Sequence, residues 1–213
     1  MKNKFASRSQ MGKKLKFENR ETDNMIKIIL GITGASGVEL GLHILRALKR
    51  QNAEIHLIIS EGARYTMREE SNLTEEEFLR IADYVYGEKE LGAAIASGSF
   101  VTDGMIVAPC SMKTLSGIAN AYDENLIIRA ADVCLKEGRK VVLLPREMPL
   151  GRAHLKNMLA CAENGCSIIP PMLSFYMEDT SVKAQLDHIT GKVLMQFGMT
   201  YEKFHSWQGP DRR

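Results

Sequence analysis

Short β-branched runs alternate with stretches of helical periodicity from position 25 onward. The runs are about four to eight residues long, which suits strands buried on both faces. The predicted strands are Ile26–Ile32, Ala53–Ser60, Gly104–Pro109, Lys140–Pro145 and Cys166–Ile169. The first predicted helix has an apolar face at Leu40, Ile44, Leu45 and Leu48, and the second has an acidic amphipathic pattern over Thr74–Tyr84. Two more helices are predicted by the apolar stretches Thr114–Asn120 and Leu126–Glu137. The last two have apolar stripes, one at Leu155, Met158, Leu159 and Ala162 and the other at Val182, Leu186, Ile189, Val193 and Phe197.

This alternation predicts βαβ units, and therefore an α/β protein with a Rossmann-like (flavodoxin-like) parallel sheet and helices on both faces. No linker divides the periodic region, so residues 25–198 are expected to form a single domain. Residues 1–24 lack apolar periodicity and are expected to form a disordered basic leader, with 199–213 as a C-terminal tail. Ligands of such sheets bind beyond the carboxyl ends of the strands, so the loops there are the first candidates for a site.

Composition and charge narrow the class of function. Of 213 residues, 45% are hydrophobic and 25% are charged, as in soluble globular proteins. The formal net charge of +2 comes from the leader, because the rest of the chain carries a slight excess of acids. We therefore expect neither nucleic acid nor a membrane as partner. The four cysteines lack metal-ligand spacing, which predicts reduced thiols, no metal site and a cytoplasmic protein.

The segment Gly34–Gly37 joins the first strand to the first helix. Its small residues allow a ligand close to the backbone, and a helix N-terminus favours an anion. The spacing matches neither the dinucleotide nor the Walker fingerprint, and Ser60 stands where a ribose-binding acid is expected. A mononucleotide is therefore favoured over NAD or ATP. In the alternative interpretation, Ser36 caps the helix and the glycines only form a tight turn.

Two further polar loops are candidate parts of a ligand-binding site. Pro109–Thr114 follows a strand, and its Ser111 and Thr114 hydroxyls either bind a phosphate or cap the next helix. The upstream Ala96–Ser99 is either a loop that closes over a bound group or a surface turn.

Charged residues next to the strands give the remaining candidates. Arg129 interrupts an apolar helix and needs an anionic partner, for which Asp132 is the simplest choice. Arg146 and Glu147 directly follow a strand, where an arginine suits a phosphate and a glutamate suits proton transfer; a local salt bridge is the alternative.

The aromatic pair Phe175–Tyr176 lies behind two prolines. It forms either an aromatic wall beside a ligand or part of the core, and core packing suits the phenylalanine better than the tyrosine. The five histidines lie outside the strand-end loops and are interpreted as helix-face or strand residues.

Taken together, these loops resemble the UbiX flavin prenyltransferase family, in particular its branch associated with hydroxyarylic acid decarboxylases. The matching segments occur in family order over Met25 to about Gly198. They are Gly31–Gly37, Ser97–Ser99, Met105–Leu115, Arg129–Glu137, Pro145–Pro149, His154–Leu159 and Pro170–Tyr176.

The resemblance implies a Rossmann-like subunit that binds FMN and forms a homo-oligomer, typically a dodecamer, with sites at subunit interfaces. It implies metal-independent transfer of a dimethylallyl group from dimethylallyl phosphate to reduced FMN, which closes a fourth ring. The prenylated FMN then serves a partner UbiD-type decarboxylase. Two other functions remain open: an FMN-binding aromatic acid decarboxylase that acts directly, and a non-catalytic flavin carrier.

The resemblance also implies roles for individual residues. Ser36 and Glu147 would handle protons, and Lys136 and Arg146 join them as the catalytic group. The donor phosphate would be held by Lys136, Arg146, Tyr176 and Lys192. FMN would be held by Gly34, Ala35, Ser36, Ser60, Ser111, Met112, Lys113, Thr114 and Arg129. The chain departs from the family pattern at Met148, Lys156 and Lys192, the last of which replaces a common arginine and weakens bidentate phosphate binding.

Overall fold

The computed structural model describes residues 25–204, 206, 207 and 209, so the predicted leader lies outside the described residues. Within this part the strands are β1 Lys27–Ile32, β2 Glu54–Ile59, β3 Tyr84–Tyr86, β4 Gly104–Cys110, β5 Lys140–Pro145 and β6 Ser167–Ile168. The helices are α1 Val38–Arg50, α2 Glu61–Glu70, α3 Glu75–Leu79, α4 Met112–Ala119, α5 Leu126–Lys136, α6 Arg152–Glu163 and α7 Val182–Met195.

The strands form one parallel sheet in the order β3-β2-β1-β4-β5-β6. Lys27 of β1 is in register with Glu54 of β2, and Ile28 is in register with Gly104 of β4. This order confirms the Rossmann-like prediction, because the chain winds outward from β1 in both directions. The strand order reverses between β1 and β4, which places the ligand crevice beyond Ile32 and Cys110.

Successive side chains of β1 point to opposite faces of the sheet, so both faces are apolar and helices cover both of them. Ile28 and Leu30 pack in one cluster with α1 and α7, while Ile29 packs in the other with α4, α5 and α6. All four cysteines are free and buried, and all four lie in the second hydrophobic cluster, the one that contains Ile29. None of the helices in the described part has the length and apolar character needed to cross a bilayer.

The main disagreement with the sequence pattern lies between β2 and β4. The helix predicted over Thr74–Tyr84 ends at Leu79, and Tyr84 begins strand β3. Asp83 accepts a hydrogen bond from the Ile55 backbone and pairs with Lys49, which fixes the chain beside β2 instead of continuing the helix. Helix α2 was not predicted, since only Ala63 and Met67 of its ten residues are buried.

Helix α6 forms as predicted, but two leucines of its apolar stripe do not face the core. Leu155 is 52% exposed and Leu159 is 59% exposed, whereas Cys161 is the buried residue of this helix. The periodicity therefore identified the helix correctly without indicating what covers its apolar face. Exposed apolar residues that repeat along one helix mark a surface for association.

The segment predicted as a C-terminal tail contributes to the core over its first residues. Met199 and Tyr201 are each 7% exposed and pack in the cluster under α1 and α7.

Candidate active site in two clusters

The loop after β1 is open to a ligand. Gly37, with φ 97°, occupies the N-cap position of α1, so the alternative in which Ser36 caps this helix is wrong. The half-buried Ser36 side chain has no hydrogen-bond partner among the described residues. Gly34 allows the loop to touch the start of α2, because a Cβ there would lie 2.8 Å from the Gly62 carbonyl carbon.

Glu70, the last residue of α2, is a neighbour of this loop that the sequence did not reveal. Its carboxylate accepts a hydrogen bond of 3.0 Å from the Gly37 backbone N–H. A negative charge is favourable at the N-terminus of α1, where the sequence predicted an anion. No sequence signal identified Glu70, because its position depends on the α2 helix that the pattern missed.

Thr33 connects the two loops that flank the crevice. This buried hydroxyl donates to the Pro109 carbonyl and accepts from the Ser111 backbone N–H, both at 2.7 Å. Thr33 thereby holds Pro109 and Ser111, which lie 76 or more positions away in sequence, at the same edge of the sheet. Thr33 belongs to the GITGASG segment, but its role depends on tertiary contacts and was not predicted.

Ser111 and Ser60 both cap helices. Ser111 accepts from the Thr114 backbone N–H at 3.3 Å and donates to the Thr114 hydroxyl at 3.1 Å, so the capping interpretation of this loop is confirmed. Ser60 accepts from the Ala63 backbone N–H at 3.0 Å. Capping uses the oxygen of Ser60, and its hydroxyl proton has no acceptor among the described residues.

The residues after β5 are exposed at the same edge of the sheet. Together with Gly34–Ser36, Ser60 and Ser111–Thr114, Arg146 and Glu147 form the first cluster of candidate site residues. Arg146 and Glu147 form no ion pair with each other, so the alternative of a local salt bridge is wrong for this structure. Glu147 instead accepts a hydrogen bond of 3.0 Å from the Met148 backbone N–H. Arg146 has no side-chain partner in the described part of the chain, which leaves a free cation beside a free carboxylate oxygen.

Tyr176 and Lys192 both lie beside His188 of α7. The Tyr176 hydroxyl lies 3.3 Å from Nε2 of His188, and the Lys192 ammonium lies 5.4 Å from the centre of the Phe204 ring. A cavity of about 360 Å³ between the loop after β6 and α7 is lined by both His188 and Lys192. Phe175 is 80% exposed, so the interpretation of Phe175 as a core residue is wrong.

The remaining predicted residues form a second cluster along α5. Arg129 donates to the Asp123 carboxylate at 2.8 Å, to Asp132 at 3.2 Å and to the Ala96 carbonyl at 3.2 Å. The predicted partner Asp132 is confirmed, and Asp123 is an additional one. Because Lys136 lies seven residues after Arg129, the two share one face of the helix.

The loop Ser97–Ser99 belongs to this second cluster. Arg139 donates to the Gly98 carbonyl at 2.6 Å and to the Phe100 carbonyl at 2.8 Å, and the Ser97 and Ser99 hydroxyls are 2.9 Å apart. These contacts hold the loop beside the end of α5. In one chain it does not close over the carboxyl ends of the strands.

Within one chain, Lys136 and Arg146 lie too far apart to contact the same phosphate. Lys136 ends α5 just before β5 begins at Lys140, whereas Arg146 follows Pro145 at the other end of β5. At about 3.3 Å per residue, β5 separates these positions by roughly 17 Å. One phosphate can contact both residues only when they come from different copies of the chain.

The structure can accept a flavin mononucleotide at the first cluster. The helix α4 N-terminus, the open Gly34–Ser36 loop and the unpaired Ser60 hydroxyl proton offer donors to an anionic or heterocyclic ligand. Among the described residues, no group of three or more His, Cys, Asp or Glu side chains is arranged to hold a metal ion.

Comparison with known proteins supports a flavin as the ligand. Residues 16–196 match the family model "Flavoprotein". A probable UbiX-like flavin prenyltransferase of Sedimentibacter hydroxybenzoicus is 56% identical over 185 residues, which cover 86% of this chain and 98% of that protein.

Two solved structures extend the comparison. AnUbiX (PadA1) in complex with FMN and dimethylallyl pyrophosphate is 41% identical, has a TM-score of 0.85, and the match covers 87% of this chain and 98% of that one. A dodecameric FMN-dependent UbiX-like decarboxylase from Escherichia coli O157:H7 is 46% identical, has a TM-score of 0.84, and the match covers 86% and 100% of the two chains.

Proposed function

Because the chain belongs to the flavoprotein family, among its UbiX-like flavin prenyltransferases, we infer that it transfers a dimethylallyl group from dimethylallyl phosphate to reduced FMN. The observation that carries this inference is the free cation, carboxylate and hydroxyl at one edge of the sheet. Arg146, Glu147 and Ser36 are not engaged in ion pairs or helix capping with the described residues. A protein that only carried a flavin would have no need of such a group.

FMN is proposed to bind over the loops after β1 and β4. The backbone of Gly34 and Ala35 and the hydroxyls of Ser36 and Ser60 face it from one side. From the other side it is held by the segment after β4, through Ser111, Met112, Lys113 and Thr114. Arg129 is proposed to reach it from a neighbouring subunit, because this residue lies in the second cluster. When bound, reduced FMN supplies the nucleophile of the reaction.

The donor phosphate is proposed to bind to Lys136, Arg146, Tyr176 and Lys192. The bond that breaks joins the allylic carbon to the phosphate oxygen, and its electron pair leaves with the phosphate. Cations on the phosphate stabilise this developing charge without a metal ion. Within one chain Arg146 lies with the first cluster and Lys136 with the second, so a complete phosphate site contains residues from two subunits.

Ser36 and Glu147 are proposed to transfer protons while the fourth ring closes. Glu147 keeps one carboxylate oxygen in a hydrogen bond with the Met148 backbone N–H, which fixes the orientation of the other. Ser36 lies in the loop that a bound ring would touch, with its hydroxyl available. A positioned carboxylate and a hydroxyl are the groups that a proton transfer of this kind requires.

The assembly is proposed to be a homo-oligomer, a dodecamer like the one described for the Escherichia coli relative. Leu155 and Leu159 form an exposed apolar stripe on α6, and Met148, at the end of β5, is 83% exposed. Met172, Leu173 and Phe175 are exposed in the loop after β6. A monomer seldom leaves so many large apolar side chains in water, so copies of the chain are proposed to cover them.

The prenylated FMN is proposed to be passed to a UbiD-type decarboxylase, and the reaction is proposed to take place in the cytoplasm. Support for the first proposal is the resemblance to the decarboxylase-associated branch of the family. Support for the second is that all four cysteines are free thiols.

One assay tests the function. The pure protein is incubated without oxygen with reduced FMN and dimethylallyl phosphate, and the flavin is analysed by mass spectrometry. We expect a flavin with an added prenyl group, and Glu147→Gln should slow its formation while FMN binding is kept. The name of the Escherichia coli relative favours direct decarboxylation as the competing function. Release of CO₂ from an aromatic acid by the isolated protein, with no flavin adduct, would establish that alternative.

A further inference from the structure

His188 is a buried side chain to which neither the sequence pattern nor the proposed reaction gives a role. It lies on α7 one turn before Lys192 and is 7% exposed. Its ring stacks on Phe204 at 5.2 Å and meets the Tyr176 ring nearly at a right angle at 5.6 Å. His188 therefore sits between the tail and the two residues proposed to hold the donor phosphate.

The hydrogen bonds of His188 are incomplete in this structure. Nε2 lies 3.3 Å from the Tyr176 hydroxyl, while Nδ1 is buried without a partner among the described residues. Burial, followed by the nearby positive charge of Lys192, lowers the pKa of His188 and keeps the ring neutral near pH 7. A neutral imidazole carries one N–H, so one of its nitrogens donates and the other accepts.

A bound phosphate decides which nitrogen carries the proton. Phosphate oxygens at neutral pH mainly accept hydrogen bonds, so Tyr176 has to donate its hydroxyl proton to contact one. The phenol oxygen is then free only to accept, and the nearest group is Nε2 of His188. This direction requires an N–H on Nε2 and leaves Nδ1 as a bare lone pair, which matches the unpartnered Nδ1.

We propose that His188 is a positioning residue: its Nε2–H donates to the Tyr176 oxygen and directs the Tyr176 hydroxyl toward the phosphate of the allylic donor. This proposal rests on the proposed function, because it takes Tyr176 and Lys192 as donor-binding residues. The contribution of Tyr176 is important in this chain because position 192 is lysine. A lysine makes point contacts with phosphate and lacks the two-pronged geometry of arginine.

A double-mutant cycle tests the proposal. Binding of dimethylallyl phosphate to the protein loaded with oxidised FMN, which does not turn over, is measured by calorimetry. His188→Phe keeps an aromatic ring against Phe204 but removes the N–H, and it should weaken binding about 3- to 10-fold. In a Tyr176→Phe background the same change should have little further effect, since the hydroxyl that His188 directs is gone.

Two further variants separate positioning from a packing role. His188→Gln can donate an amide N–H to Tyr176, and it should keep donor affinity closer to wild type than His188→Phe does. His188→Leu removes the N–H with a smaller side chain, and it serves where the phenylalanine variant fails to fold. FMN affinity should stay unchanged in each folded variant, because the first cluster does not contact His188.

The outcomes of these experiments test the positioning role of His188 separately from the proposed function. If the wild type forms the prenyl adduct and binds the donor, but the effects of His188→Phe and Tyr176→Phe are additive, the positioning role is wrong and the proposed function stands. The same holds if His188→Phe and His188→Leu bind the donor as tightly as the wild type. If the wild type neither binds dimethylallyl phosphate nor forms the adduct, the proposed function is itself wrong, and the role of His188 is overturned with it.

Discussion

Gly191 of α7 leaves the space that the side chain of Phe204 occupies. A Cβ built at Gly191 would lie 2.4 Å from Cβ, Cγ and Cδ2 of Phe204. In the sequence this glycine only weakens a helix, by about 1 kcal/mol. In the structure it allows the C-terminal segment to dock on α7, where Phe204 supports the ring of His188.

Gly191→Ala should therefore destabilise the protein, although alanine is the better helix former. The gain in helix propensity is about 1 kcal/mol, whereas overpacking against an aromatic ring costs about 1–3 kcal/mol. We expect a lower midpoint of thermal unfolding. Gly92→Ala is the matched control, because nothing lies within 4 Å of a Cβ at that exposed glycine. A midpoint raised by Gly191→Ala would show that Phe204 is not held there.

Thr33→Val should loosen both loops of the crevice at once. The substitution keeps the shape of the side chain but leaves the Ser111 N–H without its partner, and the Pro109 carbonyl keeps only the 3.3 Å hydrogen bond from the Thr33 backbone N–H. We expect a loss of about 2 kcal/mol in the free energy of unfolding, together with weaker binding of FMN. Thr33→Ser keeps the hydroxyl and should retain most of the affinity for FMN. Equal affinities for FMN in Thr33→Val and Thr33→Ser would show that the Thr33 hydroxyl does not connect the two loops.

These contacts show how far the sequence could predict the molecule. Strand β5 was predicted at its observed ends and β1 within one residue, and the apolar face of α1 was identified, because buried β-branched runs and one-sided helical faces are local signals. Helix α2 was missed because most of its residues are exposed. The strand β3 was missed because its three residues become a strand only by pairing with β2.

In the candidate site, too, local features were predicted from the sequence and long-range contacts were not. Sequence patterns identified the loops after β1, β4 and β5, since strand ends and small or polar residues are local features. They did not identify Thr33, Glu70 or His188, whose contacts join residues distant in sequence or depend on a helix that was not predicted. The predicted order of α5 and β5 already places Lys136 before the strand and Arg146 after it, but residue types carry no information on how copies of the chain meet.

Asp187 should make stability depend on pH in the acidic range. Burial alone would raise the pKa of its carboxyl, but hydrogen bonds from Tyr201 and His43 outweigh burial and lower it. An acid with a lowered folded pKa stabilises the protein above its ordinary value of about 3.9 and loses this contribution as the pH falls through the folded pKa. The contribution is therefore complete at pH 7 and fades below about pH 4.

Asp187→Asn tests this dependence. At pH 7 the variant should unfold more easily than wild type by about 1–3 kcal/mol, because charge-assisted hydrogen bonds are lost. Urea unfolding at pH 7, 5 and 3.5 should show the difference shrinking at the lowest pH. Glu178→Gln is the control, since this exposed side chain lies in a loop and has no hydrogen bond with a described residue. A difference that stays constant across the three pH values would contradict the argument.

The separation of Lys136 from Arg146 yields the sharpest prediction on the active site. Lys136→Ala and Arg146→Ala should each be nearly inactive in prenyl transfer, because each removes a cation from the leaving phosphate. A mixture of the two variants, dissociated and reassembled together, should regain activity. Where copies pair at random, about a quarter of the sites combine an intact Lys136 from one chain with an intact Arg146 from another.

The control for this experiment is a mixture of Lys136→Ala with the double variant Lys136→Ala/Arg146→Ala, which cannot supply Lys136 to any site and should stay inactive. Native mass spectrometry shows whether both variants are present in one oligomer. If mixed oligomers form and remain inactive, the phosphate site lies within one chain. That result would contradict the two-subunit site, which is predicted from the roughly 17 Å that β5 spans between Lys136 and Arg146.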